Sequence, residues 1–221
     1  MRNPGFLSYP AARDCMESIT VYADYVCPFC HLGRSSLETF RDRREEPLEV
    51  SWQPFDLRAN KRGADDEILD GVDDGKDEEY YSQAKRNVQR LQQQYDVEMA
   101  QDLATDVDSW TAGVASLFVR ERHSDDWEAF DNALYRALWV DGRDIGSKDV
   151  VTEVAADAGL DPDVVETALS ESTWEDNYRE SIDNSQANGI SGVPTFVYSG
   201  RTARGAVPPE QLSRLVDGVD A

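Results

Sequence analysis

A strand, a helix and a second strand follow one another closely near the start of the chain, and this succession limits the possible folds most. The run Ile19–Ala23 alternates and is rich in β-branched residues, which predicts a short buried strand. A helix is expected to follow directly and to end before Pro47, and Leu48–Trp52 is expected to be the second strand. Two strands joined by one helix in this way predict a parallel pair with a right-handed crossover.

Beyond residue 57 the pattern becomes helical. A polar, acidic stretch over 57–77 contains glycines and little periodicity, which indicates a linker or loop. Apolar residues then recur at helical spacing, and Asp161 and Pro162 suit the N-cap and first position of a later helix. Two such faces are formed by Tyr81, Ala84, Val88, Leu91 and Tyr95, and by Trp127, Phe130, Leu134 and Leu138. These faces predict helices that pack into a core.

The C-terminal part returns to strands. Pro194–Tyr198 is predicted to be a strand, a turn at Ser199 and Gly200 leads into a second short strand, and a final helix is expected over 208–217. The complete order predicts an α/β protein, a thioredoxin fold interrupted by a helical insertion. We assign the thioredoxin-fold domain to residues 16–57 and 185–221, the insertion to 58–184, and a disordered extension to 1–15.

Cys27 and Cys30 stand three residues apart where the first helix is expected to begin. Two cysteines on the first turn of a helix can close a small disulfide ring. The unpaired N–H groups and the dipole of the helix N-terminus favour a thiolate at the first sulfur. We therefore expect Cys27 to be the attacking nucleophile, and Cys30, one turn further and more buried, to resolve the mixed disulfide.

The same spacing has two other interpretations. It forms half of a zinc site, and with His31 it matches the attachment pattern of c-type haem. Only Cys15, His31 and His123 remain as further soft zinc ligands, and haem attachment requires export, whereas residues 1–15 lack the apolar region of a signal peptide. We therefore expect no metal and no cofactor.

The two histidines and the third cysteine have other expected roles. His31 is expected either to tune the Cys27 thiolate as a nearby cation or to lie on the helix surface. His123 lies in a charged run and is expected to face solvent, and Cys15 is expected to be inert.

A proline stands at the start of the third predicted strand, in the run Gly192–Phe196. Because proline cannot donate to a strand ladder, Pro194 suits either the start of an edge strand or a cis peptide bond. In a thioredoxin-like fold this segment would lie beside the cysteines. The backbone of Val193 could then pair with an extended substrate by strand addition.

Several segments together resemble the DsbA-like family, and within it the FrnE-like branch. The resemblance extends over residues 16–219 and rests on Val21–Gly33, Gly142–Gly146, Gly159–Asp161, Gly189–Phe196, Gly205-Ala206 and Pro208–Glu210. It implies a thioredoxin fold with a helical insertion, dithiol–disulfide exchange at Cys27 and Cys30, and a cis-proline loop at Pro194. Under this resemblance Pro28, Phe29, Val193 and Pro194 are the expected substrate contacts.

The resemblance also includes enzymes of another class. Kappa-class glutathione transferases and hydroxychromene-carboxylate isomerases share the fold and usually have a serine at the position of Cys27. The cysteine pair therefore favours redox chemistry, with glutathione still a possible substrate and a redox-linked chaperone as a third hypothesis. Relatives commonly have a Pro-Asn pair in the insertion, where this chain has the run Thr105–Trp110.

The charge of the chain restricts its partners. Asp and Glu number 44 and Lys and Arg 22, which gives a formal charge of −22. Such a charge repels nucleic acids and anionic membrane surfaces. Acidic residues occur along the whole sequence and arginine far outnumbers lysine, a pattern typical of a salt-adapted, haloarchaeal type of protein. We expect a cytoplasmic enzyme whose partners are thiol- or disulfide-containing proteins or low-molecular-weight thiols.

This charge predicts a salt-dependent stability. Molar salt should screen the repulsion among the carboxylates and raise the free energy of unfolding. A gain of ~2 kcal/mol would appear as a rise of about 4–8 °C in the melting temperature. Thermal melts from low to molar concentrations of KCl measure it, and an unchanged melting temperature would show that the charges are already balanced locally.

Overall fold

The computed structural model describes residues 17–69, 71–73 and 75–218, so the expectations for residues 1–15 and Cys15 lie outside the described part. Its sheet has four strands in the order β2-β1-β3-β4. The strands are β1 (Glu17–Ala23), β2 (Leu48–Pro54), β3 (Thr195–Tyr198) and β4 (Arg201–Arg204). β1 and β2 are parallel, with Val21 opposite Trp52, and β3 is antiparallel to both β1 and β4. The predicted parallel pair is therefore confirmed.

Eight α-helices surround this sheet in the described ranges. The helices are α1 (Pro28–Asp42), α2 (Glu78–Tyr95), α3 (Trp110–Arg122), α4 (Ser124–Trp139), α5 (Lys148–Asp157), α6 (Pro162–Ser170), α7 (Ser172–Ala187) and α8 (Pro209–Val216). α1 is the crossover between β1 and β2, and the predicted N-cap of α6 is present. The Asp161 carboxylate accepts a hydrogen bond from the Asp163 amide at the start of α6.

The core is continuous from the sheet into the helical part. Trp139 and Phe130 on α4, and Ile19 and Phe196 on β1 and β3, are completely buried. Trp139 donates from Nε1 to the backbone oxygen of Tyr25, 2.9 Å away, which ties α4 to the end of β1. Burying a large apolar side chain contributes about 1.5–3 kcal/mol, so this shared core holds the helices firmly against the strands.

The polar stretch over 57–77 is more ordered than the expected loop. It contains a 3₁₀ turn at Ala59–Lys61 and a single β-bridge between Arg62 and Ile68. The buried Arg62 guanidinium binds the carboxylates of Asp56 and Asp108 and lies over the ring of Trp110. Sequence periodicity could not predict this order, because it depends on contacts with residues far along the chain.

No helix in the described ranges has the length and apolar character needed to cross a bilayer.

Candidate active site

Cys27 and Cys30 lie at the N-terminal end of α1, as predicted. Cys27 is the N-cap residue in extended conformation, and its backbone oxygen accepts hydrogen bonds from the amides of Cys30 (3.0 Å) and His31 (3.3 Å). Both thiols are free. Pro28 occupies the first helical position, where a missing N–H costs nothing. The Cys27 sulfur therefore lies at the positive end of the helix dipole, which stabilises a thiolate.

The loop before β3 lies directly beside the first cysteine. The Cys27 thiol is 3.7 Å from the backbone oxygen of Val193, to which it can donate, and the bond between Val193 and Pro194 is cis. α1 approaches this loop so closely that a Cβ on Gly33 would lie 3.1 Å from Cγ of Pro194. A side chain at Gly33 would therefore push the loop away from the cysteines, which explains the glycine.

The two sulfurs face different spaces, although the residues are equally buried, at 3% exposure for Cys27 and 2% for Cys30. Cys27 lines a groove of about 450 Å³, whereas Cys30 borders a separate small cavity of about 30 Å³ that is also lined by Trp52 and Tyr135. The structure therefore does not show the predicted difference in burial, and the two cysteines differ in the space that each one adjoins. Burial raises the pKa of the Cys30 thiol well above its usual range, and its hydrogen bond with Cys27 adds to the shift.

Hydrogen bonds connect the turn before Cys27 to helices α3 and α4. The Tyr25 hydroxyl lies 2.7 Å from Oδ1 of the buried Asp131 and 2.7 Å from Oγ of Ser116. Asp131 also forms an ion pair with Arg34 on α1. Trp127 donates from Nε1 to the Ser116 hydroxyl. These bonds fix α3 and α4 against the turn that precedes Cys27.

Asp24 is a buried acid in that same turn, and sequence reasoning gave it no role. Its carboxylate accepts hydrogen bonds from the amides of Val26 (3.2 Å) and Leu57 (2.8 Å) and from the hydroxyl of Ser109 (2.6 Å). Its backbone oxygen accepts from the Cys27 amide. Asp24 therefore connects the cysteine turn, the exit from β2 and the start of α3. The sequence feature that could have pointed to Asp24 is its position between the first strand and the cysteine pair.

We predict that Asp24 makes the stability of the fold depend on pH. Burial raises the pKa of Asp24 from 3.8 to about 6, against the effect of its hydrogen bonds. Its stabilising contribution is complete below pH ~4 and is lost as the pH rises through ~6. The unfolding free energy of the wild type should thus fall relative to Asp24→Asn by about 3 kcal/mol over this range.

Denaturant unfolding at a series of pH values tests this prediction. Asp183→Asn, which changes an exposed carboxylate on α7, is the matched control. If the difference between the wild type and Asp24→Asn is the same at pH 4 and pH 7, then the carboxyl is not held in its neutral form by the fold.

His31 does not lie on the helix surface. Its ring is mostly buried and stacks on Tyr135 and Trp139 of α4, at centroid distances of 5.9 and 6.2 Å. Neither ring nitrogen has a hydrogen-bond partner of normal geometry. Burial lowers the pKa of His31 to about 4, which the charge of Arg34 reinforces and the backbone of Glu98 opposes. His31 is therefore packed inside the fold, where burial favours its neutral form.

His123 also differs from its prediction. It is half-buried at the junction of α3 and α4, where its ring lies 5.8 Å from that of Phe118.

The groove beside Cys27 is formed between α1 and the helical part of the chain. Three of the four expected substrate contacts, Pro28, Phe29 and Val193, line it, whereas Pro194 packs behind them against Gly33. The opposite wall comes from three parts of the chain that the sequence did not mark as functional: the described part of the stretch between β2 and α2, the first turns of α2, and 103–106. Its side chains include Arg58, Lys61, Ile68, Leu69, Lys76, Tyr80, Tyr81 and Thr105. The run Thr105–Trp110, where this chain departs from its relatives, thus begins at the groove.

Comparisons with known proteins agree with this geometry. Residues 18–217 match the family described as the DSBA-like thioredoxin domain. The uncharacterized protein YwbO of Bacillus subtilis (strain 168) is 25% identical over 90% of this chain and 94% of its own length. The 2-hydroxychromene-2-carboxylate isomerase of Sphingobium xenophagum is 23% identical over 80% of this chain and 87% of its own.

Solved structures show the same fold. A probable DsbA oxidoreductase from Streptomyces coelicolor superposes with a TM-score of 0.73 at 21% identity, over 91% of this chain and 88% of that one. The cytosolic disulfide reductase DsbM from Pseudomonas aeruginosa, solved with GSH, superposes with a TM-score of 0.58 at 19% identity, over 84% of this chain and 88% of that one. The predicted thioredoxin fold with a helical insertion is confirmed.

Proposed function

The chain belongs to the family of DSBA-like thioredoxin domains, and on this basis we propose that it is a thiol:disulfide oxidoreductase in which Cys27 attacks and Cys30 resolves. One observation carries the proposal. Cys27 lies at the N-terminus of α1, borders the open groove and contacts the Val193 carbonyl, while Cys30 lies one turn behind it. This is the arrangement that two successive sulfur exchanges require.

The chemistry balances with two cysteines and one substrate disulfide. The Cys27 thiolate attacks one sulfur of the substrate, forms a mixed disulfide and releases one substrate thiolate. The Cys30 thiolate then attacks the Cys27 sulfur, closes the ring and releases the second. The protein loses two electrons and two protons, and the substrate disulfide is reduced. The reverse sequence oxidises a substrate dithiol.

Direct analysis of the product tests the proposal. The reduced protein is mixed with an excess of a small disulfide, quenched with acid and alkylated. With Cys15 replaced by serine, so that Cys27 and Cys30 are the only cysteines, we expect both thiols to lose their alkylation together and the intact mass of the protein to lie two hydrogen atoms below that of the reduced, unalkylated protein. A product that retains the small thiol on Cys27 and a free Cys30 would contradict ring closure.

A glutathione-dependent isomerase or transferase is the second candidate, and the similarity to the 2-hydroxychromene-2-carboxylate isomerase favours it. In that reaction Cys27 would only activate the thiol of a cosubstrate. Cys30 has no part in such chemistry, so isomerisation should survive Cys30→Ser whereas disulfide exchange should stop at the mixed disulfide.

Further assignments belong to the same proposal. We propose that the chain belongs to the FrnE-like branch of the family, that it is of haloarchaeal type, and that it works in the cytoplasm. We propose that residues 16–57 and 185–221 form its thioredoxin-fold domain and that 58–184 form the insertion. Substrates would be proteins or small molecules with thiols or disulfides, and the family membership supports this class.

A further inference from the structure

One buried acid holds the chain on both sides of the cysteine pair. Asp131 lies on α4, and only 1% of its surface is exposed. Its Oδ1 atom lies 2.7 Å from the hydroxyl of Tyr25, in the turn before Cys27. Its Oδ2 atom pairs with the guanidinium of Arg34, one turn of α1 beyond Cys30. A single carboxylate therefore bridges the two segments that enclose the cysteines.

Tyr25 is fixed at its backbone as well as at its hydroxyl. Its backbone oxygen accepts a hydrogen bond from Nε1 of Trp139 on α4 over 2.9 Å. Its ring packs against that of Tyr135, also on α4, at a centroid distance of 4.8 Å. Together with the bond to Asp131, these contacts make α4 the element that sets the position of the turn before Cys27.

Arg34 is fixed in the same way on the other side of the pair. Besides its ion pair with Asp131, it donates from Nε to Oδ1 of Asn132 over 3.0 Å. Because Arg34 binds two adjacent residues of α4, it limits the rotation of α1 about its own axis. The direction in which α1 presents Cys30 is therefore set by α4.

The Cys30 side chain has little free space beside this ion pair. Cys30, Arg34 and Asp131 all line the cavity of about 30 Å³, which has room for roughly two water molecules. Since Cys30 is also only 2% exposed, the packing leaves its thiol few positions.

The placement of the Cys30 sulfur matters for the second exchange. A disulfide has a narrow range of geometry, with its two sulfurs about 2.05 Å apart. The Cys30 sulfur must therefore be aligned with the mixed disulfide on Cys27 before the ring can close, and a misplacement of ~1 Å can slow a reaction about a hundredfold. The first exchange does not require this alignment, because Cys27 alone meets the substrate.

We propose that Asp131 is a positioning residue for ring closure, which through Tyr25 and Arg34 holds the two cysteines in the relative placement that the second exchange needs. This inference rests on the proposed function and goes beyond it, since it makes α4 a part of the reaction centre. The chemical step is the one given above: the Cys30 thiolate attacks the Cys27 sulfur and the second substrate thiolate leaves. Asp131 keeps its charge and exchanges no proton.

Release of a coloured thiol in two phases separates the exchanges. In the Cys15→Ser background, the reduced protein is mixed with an excess of dithiobis(nitrobenzoate) in a stopped-flow instrument. The rate of the first phase rises with the concentration of the reagent, whereas ring closure occurs within one molecule and keeps a constant rate. Tyr25→Phe removes only the hydroxyl, and Asp131→Asn removes the charge. Each should slow ring closure about five- to tenfold and change the first phase less than twofold.

The pH dependence of ring closure distinguishes placement from acidity. Tyr25→Phe leaves the formal charges of the site unchanged below the range in which tyrosine ionises. Its limiting rate of ring closure should therefore fall, while the pH of half-maximal rate stays that of the wild type. A shifted pH of half-maximal rate with an unchanged limiting rate would overturn the inference, because the bond would then act on the acidity of Cys30.

A matched control separates placement from a general loss of stability. Ser185→Ala breaks a buried hydrogen bond from α7 to the backbone of Pro54, which involves neither α1 nor α4. It should lower the free energy of unfolding and leave both phases unchanged. Equal slowing of both phases in Tyr25→Phe and Asp131→Asn, or unchanged ring closure in both, would overturn the inference. A wild type that releases no second thiol would instead overturn the proposed function.

Discussion

Replacing Cys27 with serine is expected to abolish disulfide exchange, with a fall in rate of roughly a thousandfold or more, because a hydroxyl is not ionised near neutral pH and cannot replace the thiolate. Cys30→Ser should behave differently. Its Cys27 still lines the groove and lies at the helix N-terminus, so the first exchange should proceed and the mixed disulfide should accumulate. Stopped-flow kinetics measures the first step. Intact mass after an acid quench identifies the trapped adduct when Cys15 is also replaced by serine, so that no other thiol can carry it.

The two serine variants also assign the roles. Both side chains are buried and change by a single atom, so both proteins should fold, and circular dichroism checks this. If Cys30→Ser loses the first exchange as completely as Cys27→Ser, then Cys30 is the nucleophile and the roles are reversed. Turnover of a protein substrate by Cys30→Ser would point to a reaction in which the second cysteine takes no part.

Local signals in the sequence predicted the scaffold of this site. The strand before Asp24, the helix that begins at Cys27 and the proline before β3 are each encoded within a few neighbouring residues. Such short distances are enough for the alternation of a strand and for the periodicity of a helix. They are also enough for a proline to favour the first turn of a helix or to end a helix. These signals were therefore sufficient to predict the order of the elements and the parallel strand pair.

The properties that tune the site depend on contacts distant in sequence. His31 directly follows the second cysteine, and only the position of Tyr135 and Trp139, more than a hundred residues later, makes it buried and neutral. Asp24 is enclosed because Leu57 and Ser109 donate to it. No periodicity of a single segment contains this information, because tertiary packing decides burial and hence the pKa.

The groove could not be predicted either, because it also depends on contacts between residues distant in sequence. Arg58, Lys61 and Leu69 lie in a stretch whose composition is that of an acidic loop, where each residue is ordinary by itself. They become a wall because Arg62 anchors this stretch to Asp56 and Asp108. Sequence reasoning could therefore find the cysteine pair and the loop beside it but not the groove that borders Cys27.

The neutral state of His31 leads to an expected redox potential. A strong oxidant such as DsbA (about −120 mV) keeps its reduced form stable, whereas thioredoxin lies near −270 mV, a difference of about 150 mV or ~7 kcal/mol. Between its cysteines this chain has Pro28 and Phe29, whose side chains cannot donate to a thiolate, and the histidine that follows is uncharged at pH 7. The N-terminus of α1 and the hydrogen bond with Cys30 remain to stabilise the Cys27 thiolate. We therefore expect a potential well below that of DsbA and closer to that of thioredoxin.

Phe29→His should raise this potential. A histidine between the cysteines can become a cation beside the thiolate and stabilise the reduced form, so we expect a rise of about 30–60 mV, or ~1.4–2.8 kcal/mol. Since Phe29 lines the groove, the new ring has access to water and can be protonated. His31→Phe, which keeps a ring against Tyr135, is the control and should leave the potential within ~15 mV of the wild type. Equilibration with glutathione buffers, followed by trapping of the free thiols, gives all three values. A wild-type potential at or above that of DsbA, or a large fall in His31→Phe, would mean that another group, or His31 itself, stabilises the thiolate.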